Sequence, residues 1–298
     1  MFRSSSLCGL VSMAFIAMGL LTATPALAAA KTSSVKVASA ESPQMSSEYE
    51  ATPENASNFI DSFSVSYFGI FSGPSLGNPS SLQPTPTGEP NPDKPLDFDN
   101  YLTLGYGVND NIAISGTARF AYQPVRGQAI RMIDPFARIS HDELIHVMDF
   151  NLASEIRFHF PVTHESRLAD LLAGFESYSF ASLPIGSSRF TLMGIASIRY
   201  NVFGRRGSGE DLQTYFAPII SYQLSPTVSL VARYEMYLGH IFGDKPFVFT
   251  NDGTDLEPGV YWQVTQRLSL NPYINLYTGN KVTLKSSSVG MLMNWAIF

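Results

Sequence analysis

The side chains in this chain that could do chemistry are charged residues spaced singly through stretches of alternating polarity. Arg119, Arg138, Arg157, Arg199 and Arg233, with Asp149, Glu155, Glu176, Glu235 and Glu257, mostly stand between apolar or small neighbours. Turned into a water-filled interior, such groups would set a local field for small solutes. Packed against one another, they would pair across neighbouring strands and fill that interior. Their signs nearly balance, so weak charge selectivity is expected in either case. Catalysis has less support. The histidines are His141, His146, His159, His164 and His240, and no G-x-S-x-G elbow accompanies them. His159 shares a face with Glu155 and Arg157, which fits a polar interior residue as well as a base. Asp252-Gly253-Thr254-Asp255 lacks the further acidic ligands of a calcium loop and reads as a polar turn. The expectation is therefore no enzyme, no metal and no cofactor.

The elements that must position these charges follow from period two. In 211–276 apolar residues recur on alternate positions as Leu212, Phe216, Ile220 and Tyr222, then Val228, Leu230, Ala232, Tyr234 and Met236, with Gln213, Ser221, Arg233 and Glu235 between them. The pattern resumes as Leu256, Val260 and Trp262, then Leu268, Leu270, Ile274 and Leu276. Such spacing belongs to strands whose two faces meet different media. The links alternate between short (Ser225-Pro226-Thr227, Thr265-Gln266-Arg267) and long (239–255), as in a transmembrane β-barrel.

Elsewhere the same design predicts strands near 61–71, 101–108, 112–123, 132–140, 147–160, 169–180, 190–202 and 286–298. Asn109-Asp110-Asn111 makes the clearest hairpin turn. Residues 73–95, dense in Pro, Gly, Ser and Asn, read as a long loop with no regular element. In 132–140, Ile133, Pro135, Ala137 and Ile139 are expected to face lipid, with Asp134 and Arg138 inside and a turn at 141–144. Residues 168–173 fit either a strand or the start of a short helix. The total is about twelve strands, with ten to fourteen possible, in an all-β, up-and-down antiparallel barrel over 59–298. An even count places both termini on one side. Tyr106, Tyr122, Phe158, Phe160, Phe190, Tyr200, Tyr222, Tyr234 and Trp262 fall on the lipid parity toward strand ends, where interfacial girdles form.

Composition agrees. Of 298 residues only 15% are charged and 45% are hydrophobic, against about 25% charged in a soluble domain. The net charge of −6 and the lack of a basic cluster exclude a nucleic-acid partner. Residues 1–28 read as a signal peptide. Arg3 precedes an apolar core and Ala26-Leu27-Ala28 is a cleavage site. The single cysteine, Cys8, lies within it, so the mature chain has no disulfide. Residues 29–58, rich in Ser, Ala, Glu and Pro, read as a disordered periplasmic tail. Asn55-Ala56-Ser57 matches a glycosylation acceptor by chance.

On these features the chain from residue 61 to its end resembles a bacterial outer-membrane β-barrel protein of porin-like type. The resemblance rests on the signal segment, the amphipathic strands, the alternating link lengths and the terminal Phe298. It implies insertion into outer-membrane lipid, recognition of the last strand by the barrel-assembly machinery, and a passage for small solutes. Ala296 stands where the family often has an aromatic residue. A plugged barrel with a structural, adhesive or receptor role is the alternative, and a barrel hydrolase a third.

Overall fold

The computed structural model describes residues 62–125, 129–245, 248–278 and 281–298. The expected signal peptide and tail, with Cys8 and Asn55-Ala56-Ser57, lie outside the described residues.

Twelve strands close into one antiparallel barrel: β1 (Phe63–Ser75), β4 (Asp97–Gly107), β5 (Ile112–Gln123), β6 (Ala129–Val147), β7 (Phe150–His159), β8 (Leu171–Pro184), β9 (Phe190–Phe203), β10 (Glu210–Ser225), β11 (Val228–Ile241), β12 (Phe249–Gln263), β13 (Leu268–Tyr277) and β14 (Ser287–Ala296). Each pairs with its sequence neighbour in the barrel, and β14 closes on β1 through pairs such as Tyr67↔Trp295. Closure leaves no edge, which a strand in hydrocarbon requires. The link lengths divide by side. At the near end, where the chain terminates, the turns are residues 108–111, 148–149, 185–189, 226–227 and 264–267; the far-end links include 76–96, 160–170 and 278–286.

The exterior is an apolar belt. Leu104, Ile114, Ile139, Ile156, Leu192, Ile198, Ile220, Leu230 and Val260 all point outward and are exposed, as only a non-aqueous surrounding permits on this scale. Aromatic side chains bound the belt. Phe63 packs on Tyr106 at 5.2 Å and Phe190 on Tyr222 at 4.7 Å near one rim, while Phe71 packs on Phe98 and Phe158 on Phe160, each at 4.7 Å, near the other. Of the expected girdle residues, Tyr106, Phe158, Phe160, Phe190 and Tyr222 occupy these positions, whereas Tyr234 lies mid-strand in β11 (Val228–Ile241). Strands of ten residues or more suffice for a tilted span, which takes roughly 9–11.

The differences from the sequence expectations have local causes. Residues 73–95 are not without regular structure. β1 continues through Ser75, and β2 (Leu82–Pro84) pairs with β3 (Pro90–Pro95) in a two-stranded sheet. Proline holds φ in the extended range, so it suits a short edge strand even though it donates nothing to a ladder. The chain leading from β1 into this hairpin is latched to residues 281–286: Ser75 Oγ donates to Lys285 O at 2.7 Å and Gly77 N to Leu284 O at 2.7 Å.

β6 absorbs the turn expected at 141–144. The chain turns at Met148 and Asp149 instead, with Met148 at φ 56°. β6 also changes parity. Its register on β5 shifts between Thr117↔Phe136 and Arg119↔Ile133, so Ile133 faces inward rather than toward lipid. The break falls at Asp134-Pro135, where proline has no N–H for the ladder. Asp134 is not a lumen charge but a clamp on the far-end link, accepting from Val162 N at 3.0 Å, Thr163 N at 2.9 Å and Ser166 Oγ. There the chain forms α1 (His164–Leu168), capped by Thr163, ahead of β8. The long loop expected at 239–255 contracts to 242–248. Asp252-Gly253-Thr254-Asp255 therefore lies within β12 and is not a turn, with Gly253 at φ 142°.

Candidate functional site

The inner wall carries the polar chemistry. Arg119 on β5, Arg138 on β6, Glu155 and Arg157 on β7, Arg199 on β9, Arg233 and Glu235 on β11 and Glu257 on β12 all face the lumen, as does Glu176 on β8. Asp149 does not. It is exposed in the near-end turn, because β6 runs seven residues past Ser140 and the chain reverses there.

Two charged networks form along the wall. In the first, Glu155 lies between two arginines: Arg138 Nη1 donates to Glu155 Oε2 at 2.9 Å, and Arg157 bonds the other oxygen. Arg157 also reaches Glu176 Oε2 at 3.3 Å, which pairs with His159 Nε2 at 2.9 Å. The register Arg138↔Arg157↔Glu176↔Arg199 sets this ladder. Arg157 stands over the Tyr178 ring, with Cζ 4.0 Å from its centroid, an attraction that strengthens where water is excluded. In the second network Arg233 pairs with Glu235 at 2.9 Å and with Glu257 through two nitrogens. Tyr215 and Tyr237 donate to Glu235 at 2.6 and 3.1 Å, and Arg233 Cζ stands 5.7 Å from the Tyr273 centroid. Glu155 and Glu257 are 2% and 4% exposed, so their charges depend on these partners.

On the near side of these networks the wall is apolar. Phe180, Met193, Ile195, Ala217, Ile219, Val231 and Tyr261 form a buried cluster inside the barrel. Met193 and Ile195, apolar at the inner parity of β9, belong to this patch, which five strands share. Sequence reasoning missed Asp97 and Asp99 on β4 and Asp255 on β12, charges at inner parity just beyond the expected strand limits. Lys94 on β3 lies within electrostatic reach of both Asp97 and Asp255.

The other arrangement of interest is outside this ladder. His240 Nδ1 lies 2.6 Å from Asp211 Oδ1, the relation of a base to its orienting carboxylate. Its Nε2 is taken by the Lys245 carbonyl at 3.2 Å rather than by a hydroxyl. Among the described residues no group of three or more His, Cys, Asp and Glu side chains could hold a metal ion.

No family model and no curated protein matches the chain. Solved structures do resemble it. The COG4313 outer membrane channel from Pseudomonas putida F1 aligns over 79% of this chain and 94% of its own, at 10% identity and a TM-score of 0.49. OmpT, an outer membrane protein of Vibrio cholerae, covers 78% of this chain and 98% of its own at 9% identity and a TM-score of 0.38. Salmonella typhi OmpF, in complex with daunomycin, covers 79% and 97% at 5% identity and 0.39. Likeness of this degree carries no argument about what the lumen admits.

Proposed function

We propose that the chain is a passive channel of the bacterial outer membrane for small polar solutes. The observation that supports this reading is the separation of sign around the lumen. The arc β5–β9 carries Arg119, Arg131, Arg138, Arg157 and Arg199 against Glu155 and Glu176, whereas β11–β12 carries Glu235, Asp255 and Glu257 against Arg233, and β4 adds Asp97 and Asp99. Opposed arcs produce a field across the lumen that orients a dipolar solute while leaving net selectivity weak. The even strand number, short near-end turns and girdled apolar belt fit an outer-membrane barrel with its termini in the periplasm. Delivery by the barrel-assembly machinery belongs to the same proposal. Its candidate signal is the last strand with Phe298, whose carbonyl accepts from Val65 N at 3.0 Å.

A second reading, a plugged barrel that acts as a structural, adhesive or receptor surface, draws on the apolar patch inside the wall and the low exposure of Arg157, at 6%. A barrel hydrolase is third, resting on the Asp211–His240 pair alone.

Single-channel conductance of refolded residues 29–298 in a planar bilayer separates them. Ohmic steps with a small reversal potential in a salt gradient are expected. A barrel that shows folded mobility on an unheated gel but passes no current overturns the channel and favours the plugged form.

A further inference from the structure

His240 has an oxygen acceptor at each ring nitrogen. Its Nδ1 lies 2.6 Å from Asp211 Oδ1 on β10, and its Nε2 lies 3.2 Å from the Lys245 carbonyl oxygen. A neutral imidazole carries one N–H and can serve one of these oxygens, whereas the imidazolium carries two and serves both. An ionised carboxylate only accepts, so a neutral ring keeps its hydrogen on Nδ1 for Asp211. Nε2 then turns a lone pair toward the Lys245 carbonyl, and the two acceptors repel. The arrangement seen is therefore that of the charged ring.

The contact joins three elements at the far rim. His240 is the penultimate residue of β11, past the roughly 9–11 residues that a tilted span takes. Asp211 is the second residue of β10, and Lys245 belongs to the link that leaves β11. That link begins with a turn in which Asp244 N donates to Ile241 O at 3.0 Å and Gly243 stands at φ 91°. Phe242 N donates to Gly209 O at 2.8 Å, and the Phe242 ring rests on Phe203 at 5.4 Å. Residues 241–245 are all exposed, and His240 holds the turn at its outer corner.

The charged groups around the ring are Asp211 and Glu210 from β10 and Asp244 and Lys245 from the turn. Glu210 lies over Gly239 and is engaged by Gln213 at 2.7 Å. From β12 the ring meets Phe249, which is uncharged, with centroids 5.8 Å apart. The hydrogen bond to Asp211, and after it the bond to the Lys245 carbonyl, keeps the proton on His240 above the ordinary value of 6.5. A group raised in this way contributes fully below its ordinary value, and the contribution is lost as the pH rises through the folded value.

We propose that His240 is a proton-operated latch at the far rim: charged, it ties Lys245 to Asp211 and holds the turn at 241–245 against β10; neutral, it keeps Asp211 and lets Lys245 go. The latch stands whatever the lumen conducts, and no current is needed to see it.

The test is hydrogen–deuterium exchange of refolded residues 29–298 in lipid nanodiscs from about pH 5 to about pH 9, read at the amides of Phe242 and Asp244 and corrected for the intrinsic pH dependence of exchange. Protection there should fall roughly tenfold as His240 loses its proton, a step followed in parallel by the imidazole NMR signals. His240→Leu should show the low protection at every pH. Asp211→Asn should keep the high protection on the alkaline side, because its amide can donate to a bare Nδ1 and leave a neutral ring free to donate from Nε2 to Lys245. Protection that does not change with pH in the wild type, or the same fall in His240→Leu, overturns the latch. So does an Asp211→Asn variant that releases the turn as the wild type does. Asp211→Asn keeps the ring and the shape of its partner, and it decides the matter if His240→Leu fails to fold.

Discussion

Gly290 on β14 lies directly beneath the ring of Tyr273 on β13, so a Cβ at Gly290 would fall on the ring itself. The absent side chain lets the tyrosine lie along the wall rather than project across the lumen. On the other side a Cβ at Gly259 on β12 would stand 2.8 Å from Tyr273 Cβ, so the residue is fitted between glycines of both flanking strands. Arg233 then packs near its face. Glycine within a strand usually weakens it, and a close approach of this kind is what offsets the loss.

Gly290→Val should therefore overpack the wall and destabilise the barrel by about 1–3 kcal/mol. Urea unfolding in lipid vesicles measures it. Adding Tyr273→Ala removes the obstructing ring, so the double variant should lose less than the two single effects summed. Strict additivity would show that the ring does not need the glycine.

Arg233 is the clearest case of a residue whose role needs the fold. Its place between Val231 and Glu235 identifies an inner-facing charge, and nothing in the strand itself says that it is paired. The register Arg233↔Glu257 supplies that partner from β12. Arg233→Leu should cost about 3–5 kcal/mol, because it leaves Glu235 and Glu257 buried and uncompensated. Glu257→Gln in the same chain should restore part of the loss. Leu230→Arg is expected to fail differently, at insertion, since a charge facing hydrocarbon costs roughly 2–4 kcal/mol near the midplane. Efficient insertion of Leu230→Arg, measured as the heat-modifiable fraction, would reverse the assigned faces of β11.

The sequence made some of these features legible and hid others for definite reasons. The turn at Asn109-Asp110-Asn111 was readable because its chemistry is local: Asn109 Oδ1 accepts from Asn111 N at 3.0 Å and Ile112 N at 2.8 Å. The alternation of β10 and β11 was readable because lipid and lumen impose opposite polarities on adjacent residues. The parity change in β6 was not, since Pro135 marks a disturbance without saying which way the strand resumes. Tyr215, Tyr237 and Tyr273 were also missed. Aromatic residues at inner parity look like errors in the pattern until Glu235 and Arg233 are seen beside them. Pairing depends on the offset between strands, and a slip of one residue inverts every face.

A polar side chain on the lipid face gives a further test. Asn100 points outward from β4, yet it is 7% exposed. Its Nδ2 donates to Phe98 O at 2.7 Å and Phe120 O at 3.1 Å, and Tyr67 Oη donates to its Oδ1 at 2.5 Å. Tyr67 itself lies over Gly69. Tyr67→Phe strips one partner from a carbonyl that water does not replace, and should cost about 1–3 kcal/mol. Tyr67→Phe with Asn100→Leu should come close to wild type in the same urea titration, because both unsatisfied ends are gone. A double variant no more stable than Tyr67→Phe would mean the tyrosine acts through packing alone.

Asp134 should govern the order of the far-end link without governing the barrel. Its two carboxylate oxygens hold Val162, Thr163 and Ser166, and Phe160 N donates to the neighbouring Pro135 carbonyl at 2.9 Å. Arg167, an exposed trypsin site in α1, sits within the segment so restrained. Asp134→Ala removes every side-chain acceptor at the break in β6, whereas Asp134→Asn keeps one oxygen. Cleavage after Arg167 in the folded protein should accelerate strongly in Asp134→Ala and modestly in Asp134→Asn, with gel mobility of the unheated barrel unchanged in both. Equal cleavage rates in all three proteins would show that α1 and its flanks are held by their own capping, from Thr163 to Ser166, and not by the aspartate.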